Sequence, residues 1–378
     1  MRILDEARAV CDSHLPGLLT DLEPIPFGER ERAGNPGLRL FRERGGPALL
    51  VPKQYSGLGA TPLEAMQVVC AIGASSPSLA VATAMHHFSV ATIFTLAESL
   101  RASGLEWALL EGIADQNLLV SSGFAEGNPG QGILAPTMTG VRVDGGIVVS
   151  GAKRPCSMAS SMDLLSASAA VTGADGATEM VLLLVPAAAP GITVHPFWRS
   201  NVLAGAESDE VRLTDVFVDD SLAMPTSLGE RGDLDDLQTV GFIWFELLIT
   251  SCYLGMAAAL VERVFQKPTV AASRRAEIGA RLETAALLLR GIGHSLADKE
   301  SDNGALARAV LARYGAQDAI VDAATWAIGA LGGMAFISSS DVAYLAAACQ
   351  CVGFHPPSRA ATNPALADYL SGDVLRLA

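Results

Sequence analysis

The chain has 378 residues, half of them hydrophobic and 17% charged, enough apolar material for a large core and a length that suggests two or three domains. A formal charge of −14, with no basic run longer than Arg274–Arg275, argues against nucleic-acid binding, which needs a basic face. Six irregularly spaced cysteines in so long a chain predict reduced thiols and a cytoplasmic protein rather than a disulfide scaffold.

Residues 1–118 read as a helical N-terminal domain. Residues 3–19 are amphipathic, and Pro24, Pro26 and Gly28 then break the chain. Thr61-Pro62-Leu63-Glu64 sets a helix start with proline just inside it, running on through Ile72. Residues 76–96 and 106–114 give two further helices. The adjacent His86 and His87 face different sides of theirs, so one packed and one exposed ring is expected. His87 is kept as a candidate site residue.

Residues 119–228 change period. Short β-branched runs at 118–120, 138–143, 146–149, 180–185, 192–197, 211–213 and 216–218 are punctuated by Gly, Pro and Asp. They predict an antiparallel middle domain, a barrel or sandwich. Trp198-Arg199 is expected at a surface turn, with the mouth of a pocket as the alternative.

Residues 229–378 are helical again, with segments at 234–265, 271–300, 305–331 and 340–351 separated by Asn303-Gly304 and Gly332-Gly333. Four long apolar helices with short links describe a four-helix bundle, and the whole order is α+β. The apolar run 241–261 is long enough to span a bilayer, but it carries Glu246, and we read it as the buried helix of the bundle, with no membrane partner. Cys349 and Cys351 have no second ligand pair at zinc spacing, so no metal site is expected.

Several local motifs resemble the acyl-CoA dehydrogenase family, and the resemblance spans nearly the whole chain. LLVPKQYSGLGATPLEA, near residue 50, resembles the family's VPxxYGGxG turn and the helix after it. GFAEGNPGQG at 123–132 resembles TEPxxGSD, which lies along flavin and acyl thioester. GAKRPCS at 151–157 resembles GxKxWIT, whose last hydroxyl contacts flavin N5. Leu331-Gly332-Gly333 resembles the LGG of the last long helix. The resemblance implies FAD as cofactor and Phe124, Ala125, Glu126, Gly130, Gln131, Pro155, Cys156 and Ser157 as residues along it. It also implies an acyl-CoA or acyl-carrier-protein substrate and a homodimer or homotetramer.

The chain departs from that pattern at telling places. Ala125 stands where Thr or Ser donates to the flavin, and Pro155 where an aromatic packs on its ring. The Arg-x-x-Phe-Gly element that reaches a neighbouring subunit's FAD is missing from VFQKPTVAASRRAEIG, so weak FAD binding is expected. The family's base loop aligns onto Phe354-His355-Pro356-Pro357, placing His355 where the catalytic Glu is usual. Some members carry the base on the first bundle helix instead, at a position that aligns with Phe245, and Glu246 lies beside it. Desaturation of a thioester needs a base at the α-carbon and a hydride acceptor at the β-carbon. Glu246, in its apolar helix, is the expected base, with His355 second. The leading expectation is thus a specialised, biosynthetic acyl thioester desaturase. The alternatives are a flavin monooxygenase on the same fold, or a homologue that lost FAD and does non-redox catalysis or binding.

Overall fold

The computed structural model describes residues 1–99, 104–126, 136–173, 176–226 and 236–377. Four helices dominate the first part: α1 (Arg2–His14), α2 (Pro62–Ser75), α3 (Pro77–Glu98) and α4 (Leu105–Asp115). The start of α2 is fixed as the sequence predicts. Thr61 Oγ1 accepts from the Glu64 N–H, Glu64 reaches back to the Thr61 N–H at 2.8 Å, and Pro62 sits just inside.

The middle region departs from expectation. Eight strands form one mixed sheet: β1 (Val120–Gly123), β2 (Thr139–Val143), β3 (Gly146–Cys156), β4 (Leu164–Thr172), β5 (Thr178–Pro186), β6 (Ile192–His195), β7 (Asp209–Asp219) and β8 (Ala223–Thr226). The order is β6-β7-β3-β2-β4-β5-β8, so β6 and β8 are edges and the barrel does not close. Nor is the sheet antiparallel throughout, because β1 and β2 both run parallel to β4. Central β4, LLSASAAVT, escapes the sequence reading because its small Ser and Ala residues lack the β-branched signal. Apolar alternation locates strands but carries no information on which strand pairs with which.

The last part holds α5 (Asp236–Gln266), α6 (Ala272–Ala297), α7 (Asn303–Leu331), α8 (Ser340–Gln350) and α9 (Arg359–Leu370). Helix α5 packs on α6, α7 and α8, and equally on α2 and α3, so the N- and C-terminal helices share one apolar core. That explains a helix apolar on every side. Of the two helices long and apolar enough to cross a membrane, the α5 window is wholly buried and the α3 window largely so. A second apolar core lies within the sheet.

Candidate active site

A cavity of about 280 Å³ lies between the sheet, α3 and α5. Helix α3 presents Val81, Met85, Phe88 and Thr92, spaced by four, three and four, which is one helical face. Helix α5 presents Gly241, Phe242 and Phe245, then Tyr253 two turns on. The loop after α8 adds Phe354, His355 and Pro356.

The sheet wall holds some of the residues that the flavin motif singles out. Phe124, Ala125, Pro155 and Ser157 all line the cavity. Ser157 Oγ lies 3.0 Å from Ser208 Oγ, and Ser121 Oγ donates to the Ser157 carbonyl at 2.6 Å. Cys156 is a correction: it lies in the core of the sheet, because successive residues of a strand face opposite sides and β3 is irregular between Lys153 and Cys156. Glu126 is also absent from the cavity wall. It takes Lys153 Nζ at 2.6 Å and the N–H groups of Thr137 and Met138 at 2.7 and 3.2 Å, so it links β3 to residues 137 and 138. Burial pushes its carboxyl up, but the bonds from Lys153 and Thr137 outweigh burial and hold it below the usual range. Lys153 is fully buried and held in the ion pair with Glu126. Gly130 and Gln131 lie outside the described residues.

The helical wall separates the two candidate bases. His355 lines the cavity, and its Nε2 lies 2.6 Å from the Tyr253 hydroxyl. Burial and the nearby Arg313 push its pKa down to about 3, so the ring is neutral; burial pushes the Tyr253 hydroxyl far up, so it keeps its proton. Glu246 does not reach the cavity. One residue past Phe245 turns a helical side chain by about 100°, and Glu246 faces Arg313 Nε on α7 at 3.1 Å, both fully buried. Burial raises the carboxyl and Arg313 pulls it back. Arginine cannot shed its proton, so a protonated Glu246 would leave a bare buried cation; the ionised pair is the form we assign. Arg313 Nη2 also donates to the carbonyls of Val352 and His355, each at 2.9 Å. Glu246 is therefore paired with the arginine whose Nη2 holds the His355 loop.

Two histidine expectations fail together. His86 and His87 are both wholly buried, because α3 is enclosed on both the sheet and the helix side. His86 is saturated, with Nε2 at 3.0 Å from the Pro47 carbonyl and Nδ1 accepting from the Val120 N–H at 3.0 Å. His87 has no hydrogen-bond partner on either ring nitrogen among the described residues and does not line the cavity. Trp198 is not at a surface turn: it lines the cavity, with Nε1 donating to the Val202 carbonyl at 2.9 Å. Tyr253 was missed by sequence reasoning; the signal was its place two turns beyond Phe245. Among the described residues no His, Cys, Asp and Glu cluster has metal-binding geometry.

No family model matches the chain. An isobutylamine N-hydroxylase of Streptomyces viridifaciens is 43% identical over 378 residues, covering all of both chains. Among solved structures, KijD3 in complex with FMN and a dTDP-linked amino-keto sugar is 20% identical with a TM-score of 0.80, covering 97% of this chain and 92% of that one. FMN-bound TdsC from Paenibacillus sp. A11-2 is 17% identical with a TM-score of 0.81, covering 100% and 99%. At such identities the two structures establish the fold they share with this chain.

Proposed function

This chain belongs to the family of isobutylamine N-hydroxylase, and from that premise we propose that it is a flavin-dependent monooxygenase hydroxylating the nitrogen of a small apolar primary amine. The observation that carries the reading is the cavity wall. Among its described residues there is no Asp, Glu, Lys or Arg, and its ionisable groups are thiol Cys351 and the neutral His355–Tyr253 pair. That favours the monooxygenase alternative over thioester desaturation: Glu246, the expected α-proton base, is turned to Arg313.

The wall suits a flavin ring, which has apolar faces and a polar edge. Ser157 and Ser208 offer hydroxyls, and Phe124, Pro155 and Trp198 offer apolar surface. When bound and reduced, the flavin supplies two electrons to dioxygen, so that one oxygen atom goes to the substrate and the other leaves as water. The protein's part is to bind the amine as its free base. An uncharged, apolar cavity disfavours an alkylammonium ion, so the proton stays in bulk water and the nitrogen lone pair is exposed. With its ring proton on Nε2, donated to the Tyr253 oxygen, His355 leaves Nδ1 free to accept an amine N–H. As oxygen is added to nitrogen, Nδ1 takes the proton that the nitrogen sheds and passes it to the oxygen atom that leaves as water. The apolar wall from α3 and α5 takes the alkyl group and excludes water.

The test supplies the protein with oxidised FMN or FAD, a reductant, oxygen and a panel of amines and acyl thioesters. We expect hydroxylamine products with one oxygen from dioxygen, formed from small branched alkylamines. Flavin reduction by an acyl thioester without oxygen would overturn the proposal in favour of desaturation.

A further inference from the structure

One wall of the cavity is the segment 203–208, of which Leu203 and Ser208 face the interior. It is held in an unfavourable shape: Leu203 and Glu207 have φ of 62° and 52°, a region that non-glycine residues occupy only when their surroundings hold them there. Part of that hold comes from the sheet side, where the Met158 N–H donates to the Ala206 carbonyl at 2.8 Å. Loop residues add more, Asn35 Nδ2 donating to the Gly205 carbonyl at 3.2 Å and the Gly34 N–H to Glu207 Oε1 at 3.3 Å, and the helical side contributes as well. The Gly205 N–H donates to the Glu31 carbonyl at 3.0 Å, and the Leu203 N–H donates to the Tyr344 hydroxyl oxygen at 2.7 Å.

Tyr344, on α8, donates in turn to Glu31 Oε2 at 2.7 Å. Glu31 is buried and has no ion-pair partner among the described residues. Its carboxylate also accepts from Ser76 Oγ at 2.9 Å, the Ser78 N–H at 3.0 Å and Ser78 Oγ at 2.6 Å. Ser76 and Ser78 stand at the N-terminus of α3, whose partial positive charge favours an anion there. The 203–208 segment packs on the start of α3, where a Cβ added at Gly205 would meet Ser78 Cβ at 2.9 Å, and α3 also lines the cavity. One hydroxyl therefore joins the end of α3, the C-terminal helices and the 203–208 wall.

We infer that Tyr344, acting through Glu31, is a positioning residue that sets the distance between the 203–208 wall and α3 and thereby the fit of the flavin against Ser157. The inference rests on the flavin reading of the cavity. Tyr344 touches neither the cavity nor the reacting atoms, so its effect is transmitted through Leu203 and Ser208.

The test is Tyr344→Phe. It keeps the ring edge-on against Phe27, with centroids 5.2 Å apart, and removes only the hydroxyl. At a temperature well below unfolding, oxidised FMN is titrated into wild type and variant, and amide exchange is followed over 203–208. We expect the FMN dissociation constant to rise about tenfold, with faster exchange at Leu203 and its neighbours. Glu31→Gln, which retains an acceptor for Tyr344, should give a smaller rise. A variant that only unfolds at a lower temperature, while binding FMN within about twofold of a wild type that does bind it, overturns this inference alone. A wild type that takes up no FMN overturns the functional reading and this inference with it.

Discussion

At the scale of single residues, Glu246 faces Arg313 while His355 lines the cavity, and our proposal gives the proton transfer to His355. Replacing Glu246 by Leu leaves the Arg313 guanidinium buried without its carboxylate, at a cost of about 3–5 kcal/mol, which urea denaturation would read. Replacing His355 by Gln should leave stability nearly unchanged and lower amine turnover on the order of a hundredfold. The opposite split, a stable but inactive Glu246 variant, would restore Glu246 as the base. The uncharged cavity also sets a pH dependence. If only the free amine binds, kcat/KM should rise about tenfold per pH unit below the amine's own pKa. A profile flat between pH 6 and 8 would mean that the ammonium ion binds.

At the scale of elements, the crossing of α2 and α5 is as tight as two backbones allow. A Cβ added at Gly73 would meet the Cys252 carbonyl oxygen at 2.4 Å, and one at Gly255 would meet the Cys70 oxygen at 2.0 Å. Each glycine faces the other helix's main chain, which cannot move aside as a flexible side chain would. Gly255→Ala should therefore cost about 3 kcal/mol, at the upper end of overpacking effects. The same crossing fixes where α5 lies beneath the cavity, so the surviving folded fraction should also bind flavin less tightly. An alanine variant with an unchanged urea midpoint would show that the helices separate freely.

At the scale of the whole molecule, acid and self-association are the two handles. The unfolded chain protonates its histidines as pH falls through about 6.5. The folded chain resists until about 4 at His86 and about 3 at His355, and His87 is held well below its ordinary value, burial being the main cause each time. Between those values the unfolded state binds more protons, so stability falls as pH falls. Glu31 and Glu246, held above their ordinary values by burial despite hydrogen bonds and Arg313, act in the opposite sense, but the three histidines outnumber them. A urea midpoint that drops steadily from pH 6.5 to 4.5 is expected, and one that rises would refute the account. We also propose a dimer or tetramer formed through the C-terminal helices. The short helix Gly333–Ser338 leaves Met334 and Ile337 74% and 78% exposed, which is costly in a monomer. Light scattering at micromolar concentration should give a multiple of 39.2 kDa; a monomer would overturn it.

By itself the sequence determined the helix–strand–helix order and the burial of the apolar helix at 241–261. It also determined that Ser157, Ala125 and Pro155 share a surface, because these are local matters of period, capping and short motifs. It could not determine that β4 lies at the centre of an open mixed sheet, since strand pairing is a non-local choice that alternation does not encode. Nor could it choose between Phe245 and Glu246, where 100° of helical rotation decides which side chain sees the cavity. Nor could it show which distant residues meet: Tyr253 and His355, paired at the cavity, are 102 residues apart, and Tyr344 and Glu31 are 313 apart. The tertiary structure decided those pairings, because a buried hydroxyl or carboxylate must find its hydrogen bond wherever the packed chain brings a partner within reach.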